Sequence, residues 1–209
     1  MAVLEGATTG ALHEVDLYQK GARVSLVPGG AGFGVAAITG TIAAALAANS
    51  AVFAMRLDPA SPSRAFIEKL RLQFTTIVSF TVPFAAGRRL GLFRGTGAAA
   101  SGGTTLATAV PKRSVDVSEF NVAQGGDIRI ATTGALVVTG IVFETDPIRL
   151  FSLIHVGGSG EHYEYRWESV GGPIILEPGQ LLAIRNPLVM GADGTWNLDV
   201  EADWYERAI

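Results

Sequence analysis

The sequence predicts an all-β protein, a sandwich or barrel of short antiparallel strands, and three observations carry that expectation. Near the end of the chain Trp196, Leu198, Val200, Ala202 and Trp204 alternate with Asn197, Asp199, Glu201 and Asp203. A period of two residues marks a half-buried strand, because successive side chains leave the pleat on opposite sides. A longer alternation runs over residues 66–82. Phe66, Leu70, Leu72, Phe74, Thr76, Val78 and Phe80 are expected on one face, with Ile67, Lys69, Arg71, Gln73, Thr75 and Ser79 mostly on the other. Third, turn-forming clusters recur between apolar runs: Gly125-Gly126, Thr133-Gly134, Asp146-Pro147, Gly157-Gly158-Ser159-Gly160 and Glu177-Pro178-Gly179.

Residues 1–30 lack a sustained period and close on the turn signal Val27-Pro28-Gly29-Gly30. They are expected to form an extended N-terminal arm or an edge strand, with Leu12, Val15 and Leu17 able to mark one helical turn. Residues 31–209 are the expected β-sandwich domain. The span 33–55 carries no charge, but Gly34, Thr39, Gly40, Thr41, Asn49 and Ser50 interrupt a run dominated by alanine, a weak membrane inserter. It therefore reads as strands around a turn at Ala47-Ala48-Asn49-Ser50, with residues 51–57 the second of them. Residues 63–72 have a rival helical spacing through Phe66, Leu70 and Phe74, but Leu72, Val78 and Phe80 fit only the strand template.

A strand over 89–94 follows the turn Ala85-Ala86-Gly87. The run 95–111, dominated by Gly, Ala, Ser and Thr, reads as a flexible exposed loop. Strands are then expected over 118–124, 127–131, 136–144, 150–155 and 162–167, before the two terminal strand regions around 174–187 and 196–204.

Composition narrows the function. Of 209 residues 17% are charged, against a usual ~25%, and 48% are hydrophobic. Mean hydropathy is +0.34. So little charge points to surface covered by other chains. There is no cysteine, which excludes disulfides and thiolate metal sites and leaves the compartment open. A net charge of −3 lacks the basic stripe of a nucleic-acid binder, and the pairs Arg88-Arg89 and Lys112-Arg113 are too few to supply one. Glu5, with no basic cluster before an apolar run, does not fit a secretory signal, so a soluble chain without a membrane partner is expected.

Three residue sets are candidate sites. His155 and His162, flanking the glycine loop with Glu164 nearby, allow a two-His-one-carboxylate metal site. A hairpin across that loop would bring them together for structural reasons alone, and no cofactor is expected. Tyr163, Tyr165 and Trp167 form an aromatic stripe that can stack on a glycan or, as the bland alternative, pack in a core or subunit interface. Asp199, Glu201 and Asp203 form an acidic stripe. One strand cannot converge them on a calcium ion, so they read as a solvated face that discourages edge-to-edge aggregation, or as a face for a basic partner. Gly29-Gly30-Ala31-Gly32-Phe33-Gly34 lacks phosphate-loop spacing, and Gly157-Gly158-Ser159-Gly160-Glu161 breaks the nucleophile-elbow pattern. No nucleophile–base pair stands out, so a non-enzymatic role is expected.

Several stretches resemble tailed-bacteriophage virion proteins with all-β, jelly-roll-like folds. They are Ala51-Val52-Phe53-Ala54-Met55-Arg56-Leu57, Phe84-Ala85-Ala86-Gly87-Arg88-Arg89-Leu90, Asp127-Ile128-Arg129-Ile130-Ala131, and residues 173–206 with Ile184-Arg185-Asn186, Gly191-Ala192-Asp193-Gly194-Thr195 and Asp203-Trp204. The resemblance implies a jelly-roll-like antiparallel sandwich in the virion, assembled in the host cytoplasm. It further implies a head decoration (cement) protein or a fibre- or tail-associated one, with the major capsid protein or other virion proteins as partners. By the same analogy a homo-oligomer, a trimer, is expected, with no catalytic residues to carry over. A glycan-binding fibre module and a cupin-like metalloenzyme are the alternatives.

Overall fold

The computed structural model describes residues 3–5, 12–16, 21–23, 32–43, 45–81, 88–106, 110–111, 117–153, 160–166, 172–191 and 193–209. The chain divides into two units, Met1–Gly30 and Ala31–Ile209. In the first, strands β1 (Val3–Glu5), β2 (Leu12–Asp16) and β3 (Gly21–Arg23) form a three-stranded antiparallel sheet. Leu12 and Val15 thus lie on a strand and not on a helical turn. Leu17 and the turn at Val27-Pro28-Gly29-Gly30 lie outside the described residues.

The second unit is an antiparallel β-sandwich. Its strands are β4 (Gly32–Ile38), β5 (Ile42–Ala43), β6 (Ala51–Arg56), β7 (Ser63–Val78), β8 (Arg89–Gly97), β9 (Thr104–Thr105), β10 (Val110–Pro111), β11 (Asp127–Ile130), β12 (Ile141–Phe143), β13 (Arg149–Ser152), β14 (Gly160–Arg166), β15 (Ile174–Leu176), β16 (Gln180–Arg185) and β17 (Thr195–Ala208). Sheet I runs β10-β4-β17-β7-β14, with β5 beside β17 and β15 beside β7. Sheet II runs β12-β8-β16-β6-β11-β9, with β13 beside β8.

The pairings nest. β4 pairs with β17, β6 with β16, β7 with β14 and β8 with β13, all antiparallel. Successive pairs fall alternately in sheets I and II, which is the connectivity of a jelly roll. The two terminal strand regions therefore do not pair with each other: β16 lies inside sheet II and β17 inside sheet I. The described strands on either side of the glycine loop do not form a hairpin with each other: β13 joins β8 in sheet II and β14 joins β7 in sheet I. Residues 157–159 of that loop lie outside the described residues.

The inner faces meet in one apolar core. Trp196, Leu198, Val200, Ala202 and Trp204 line it from β17, Leu70, Leu72 and Phe74 from β7, and Phe53, Met55, Leu182 and Ile184 from sheet II. Trp196 lies 5.0 Å from Phe74, while Trp204 meets Phe33 at 5.9 Å and the edge of Phe120 at 5.2 Å. Burying each such side chain contributes about 1.5–3 kcal/mol, which is what fixes the strand faces.

Several expectations are corrected. Phe66 does not share a face with Leu70. A bulge opposite Asp203 and Trp204 pairs Ile67 with Trp204 and Lys69 with Asp203, and the extra residue reverses the alternation. Ala65 and Ile67 point inward, and Phe66 turns outward to stack on Tyr205 at 4.8 Å. A second irregularity, at Thr195/Trp196, leaves Val78 exposed.

The run 95–111 is not a plain loop. Ser101 bridges Val137, β9 pairs with β11, β10 pairs with β4, and Ala100 is buried. Its small residues permit this close approach: a Cβ on Gly103, at φ +59°, would collide with the Ile130 carbonyl. Residues 118–124 are not a strand. Asn121 caps a 3₁₀ turn over Val122–Gln124, which Gly125 ends in the left-handed region. Within 136–144 only Ile141–Phe143 is strand, although Leu136 bridges Ala51. The turn at residues 85–87 lies outside the described residues. No helix among the described residues is long and apolar enough to cross a membrane.

Candidate functional site

Most of the charged candidates fall on one surface, the outer face of sheet I. Because β17 is flanked by β4 and β7, and β7 by β14, the registers line residues up in cross-strand rows. The first row is Ile38, Asp199, Gln73 and His162; the second is Ala36, Glu201, Arg71 and Glu164; the third is Gly34, Asp203, Lys69 and Arg166. Alternation on β17 places acids on this face, and the basic residues of β7 stand opposite them.

The acidic stripe is therefore answered within its own sheet. Glu201 accepts from Arg71 at 2.9 Å and lies 3.7 Å from Lys69, and Asp203 is 3.9 Å from Lys69. Partly exposed pairs of this kind contribute about 1 kcal/mol or less each. Edge protection, one role expected for the stripe, does not apply, since β17 is paired on both sides. Asp199 differs from its neighbours. Burial pushes its pKa upward, and its Oδ1 has no hydrogen-bond partner.

Glu164 is engaged as well: Arg166 lies at 3.0 Å, Arg71 at 3.5 Å and Lys69 at 3.9 Å. The hydrogen bond from Arg166 holds its carboxyl below the ordinary range, and the charges of Arg166, Arg71 and Lys69 act in the same direction. A metal at His162 would compete with three cations for that carboxylate. His162 itself is exposed, one row away, beside Gln73. His155 lies outside the described residues, and no cluster suited to a metal ion occurs among those described.

The aromatic stripe faces inward. Tyr165 is buried and donates to the Gly172 carbonyl at 2.8 Å. Tyr163 is half-buried 5.0 Å from Phe151, with its hydroxyl bonded to the Ser152 carbonyl. These hydroxyls tie β14 to the chain on either side of it. Trp167 lies outside the described residues.

Three further polar centres escaped the sequence reading. Glu206, on the inward parity of β17, accepts from Ser118 Oγ at 2.6 Å, Trp204 Nε1 at 2.9 Å and the Glu119 amide at 3.0 Å. Glu119 is in turn pushed upward in pKa, first by burial and then by the charges of Glu206 and Asp58. Second, Arg88, only 2% exposed, bonds Asp193 at 3.1 Å and lies over the Phe80 ring at 4.2 Å. Asp193 also accepts from the Thr81 amide, so it ties the end of β7 and the start of β8 to the turn that enters β17.

The third centre is Arg185, on the outer face of sheet II. Gly91 and Gly95 form the floor of that face: a Cβ on Gly91 would meet the Phe93 ring at 2.6 Å, and one on Gly95 the Phe143 ring at 3.0 Å. Over this floor lie Phe93 and Phe143, and Arg185 sits 5.0 Å and 3.8 Å from their centroids. Arg185 is 8% exposed, and Leu181 through Arg185 are buried on both faces of β16. Among the described residues its one hydrogen bond is from Nε to the Asn49 carbonyl, at 3.2 Å. Burial pushes its pKa down. Removing such an ion from water costs several kcal/mol, of which a desolvated ring contact returns about 2 kcal/mol.

The stretches that carry the phage resemblance converge in space. β6 lies between β11 and β16, and Arg88 from one stretch bonds Asp193 from another. Compared with known proteins, the chain matches no family model and no curated protein.

Proposed function

We propose that this chain is a non-enzymatic structural protein of a tailed-phage virion, a jelly-roll decoration protein that stabilises the head through the major capsid protein and acts as a homo-oligomer. One observation carries the reading. The separate stretches that resemble virion proteins supply the adjoining strands β11, β6 and β16 of sheet II, β15 and most of β17 in sheet I, and the Arg88–Asp193 tie between them, so the likeness falls on strands of one sandwich. The jelly-roll frame is one that shell proteins share with lectins and cupins. Between those options the side chains count: Tyr163 and Tyr165 are spent on internal carbonyls, and Glu164 on its own sheet's cations.

Purified protein mixed with undecorated heads is expected to bind saturably, at fixed stoichiometry, and to raise the temperature at which heads rupture; absence of binding sinks the proposal. Removing residues 1–30 is expected to weaken attachment while the sandwich stays folded. Loss of the β-sheet circular dichroism signal in that truncation would refute the arm assignment.

A further inference from the structure

We propose that the outer face of sheet II is a carboxylate-binding site, with Arg185 receiving an aspartate or glutamate side chain of a partner protein beside the exposed Leu150. Arg185 and Arg88 are the arginines buried to this degree among the described residues. Arg88 has a carboxylate, Asp193; Arg185 has a neutral carbonyl and two rings. Other arginines of this sheet are also answered: Arg129 by Asp127 and the Gly102 carbonyl, Arg94 by Glu144, and Arg56 by the Gly97 carbonyl.

The guanidinium is a planar fork of five donors, made to take a carboxylate through two parallel bonds. In Arg185 the Nε is used on Asn49, whereas the terminal nitrogens have no acceptor among the described residues, and neither is sealed from solvent. Its surroundings are apolar. Leu150 pairs with Gly91, its Cδ2 would lie 3.2 Å from a Cβ there, and it is 48% exposed. A cation held on aromatic rings in a poorly hydrated site favours an anion that brings apolar surface with it. An acidic side chain next to a Leu- or Val-like residue has that chemistry. The inference stands whether or not the partner belongs to a phage head.

The test follows the Nε–Hε resonance of Arg185 in the ¹⁵N-labelled full chain, assigned through bonds from Ile184 and Asn186, so that it does not depend on any variant folding. Sodium acetate is expected to shift it saturably, and sodium chloride at equal ionic strength to leave it in place. The peptide N-acetyl-Leu-Glu-Leu-amide is expected to bind at least about ten-fold more tightly than acetate, and its Gln counterpart not at all. R185K, which keeps the charge but loses the fork, is expected to abolish peptide binding with its circular dichroism spectrum unchanged. Equal shifts from chloride and acetate, a larger response to inorganic phosphate, peptide binding no tighter than acetate, or undiminished binding by R185K would each overturn the proposal.

Discussion

The two outer faces of the sandwich are built from the same alternating pattern and end as different surfaces. On sheet I, charge answers charge across strands: Glu201 with Arg71, Asp203 with Lys69, Glu164 with Arg166. On sheet II, Gly91 and Gly95 make a floor on which two phenylalanine rings and one nearly buried cation lie. The difference teaches how much each face stands to gain from a contact. A face whose charges are already paired in water gains little from a partner, because those pairs must be desolvated again. A face with apolar rings and an unanswered cation has more to gain.

The largest expected effect lies where the sheets are tied. Asp193→Ala removes the carboxylate that the buried Arg88 meets at 3.1 Å and is expected to cost about 3–5 kcal/mol in equilibrium urea unfolding. A loss below about 1 kcal/mol would mean that the tie is not structural and that the faces are held independently. Next comes a matched pair of small changes. Gly91→Ala on sheet II drives a methyl into the Phe93 ring and is expected to cost roughly 1–3 kcal/mol. Ala36→Ser at an exposed position on sheet I is expected to stay within about 0.5 kcal/mol. Similar midpoints for the two would erase the contrast.

The smallest effects are two pH terms of opposite sign on sheet I. Glu164 has a folded pKa below its unfolded value, so its contribution to stability is present above the ordinary carboxylate range and is lost as pH falls through the lowered value. Glu164→Gln is accordingly less stable than the parent at neutral pH, and the gap closes on acidification. Asp199 has a raised pKa, so its charge opposes folding above that value, and protonation relieves the opposition. Asp199→Asn is more stable at neutral pH, and its advantage fades as pH falls. Thermal midpoints measured across acid to neutral pH check both; gaps of the same sign would break the assignment.

How much of this was legible in the sequence differs from residue to residue. The inward set Trp196, Leu198, Val200, Ala202 and Trp204 was plain, because alternation reports which face a residue takes. It does not report which strand lies alongside, and so the acidic stripe looked free although Lys69 and Arg71 stand beside it. Spacing alone puts Phe66 on the face of Leu70, because a bulge has no signature in spacing. The run 95–111 reads as a flexible exposed loop because small residues suit both disorder and close strand approach, and only the backbone distinguishes them. Of the sites, the aromatic stripe was readable as core, while Arg185 gave no signal, since its apolar setting is assembled from β8, β12 and β16.

The position of β17 has a consequence for how the protein is made. Ile38 is partnered by Asp199, and β17 separates β4 from β7 along its length. Until β17 has emerged from the ribosome, β4 and β7 face a gap of roughly two strand spacings, about 10 Å, with the edges that β17 covers left bare. Sheet I cannot zip up as it is synthesised, and contacts so distant in sequence form slowly. Chains cut short by premature termination are left with two open edges, which marks them for aggregation or degradation before they can join any assembly.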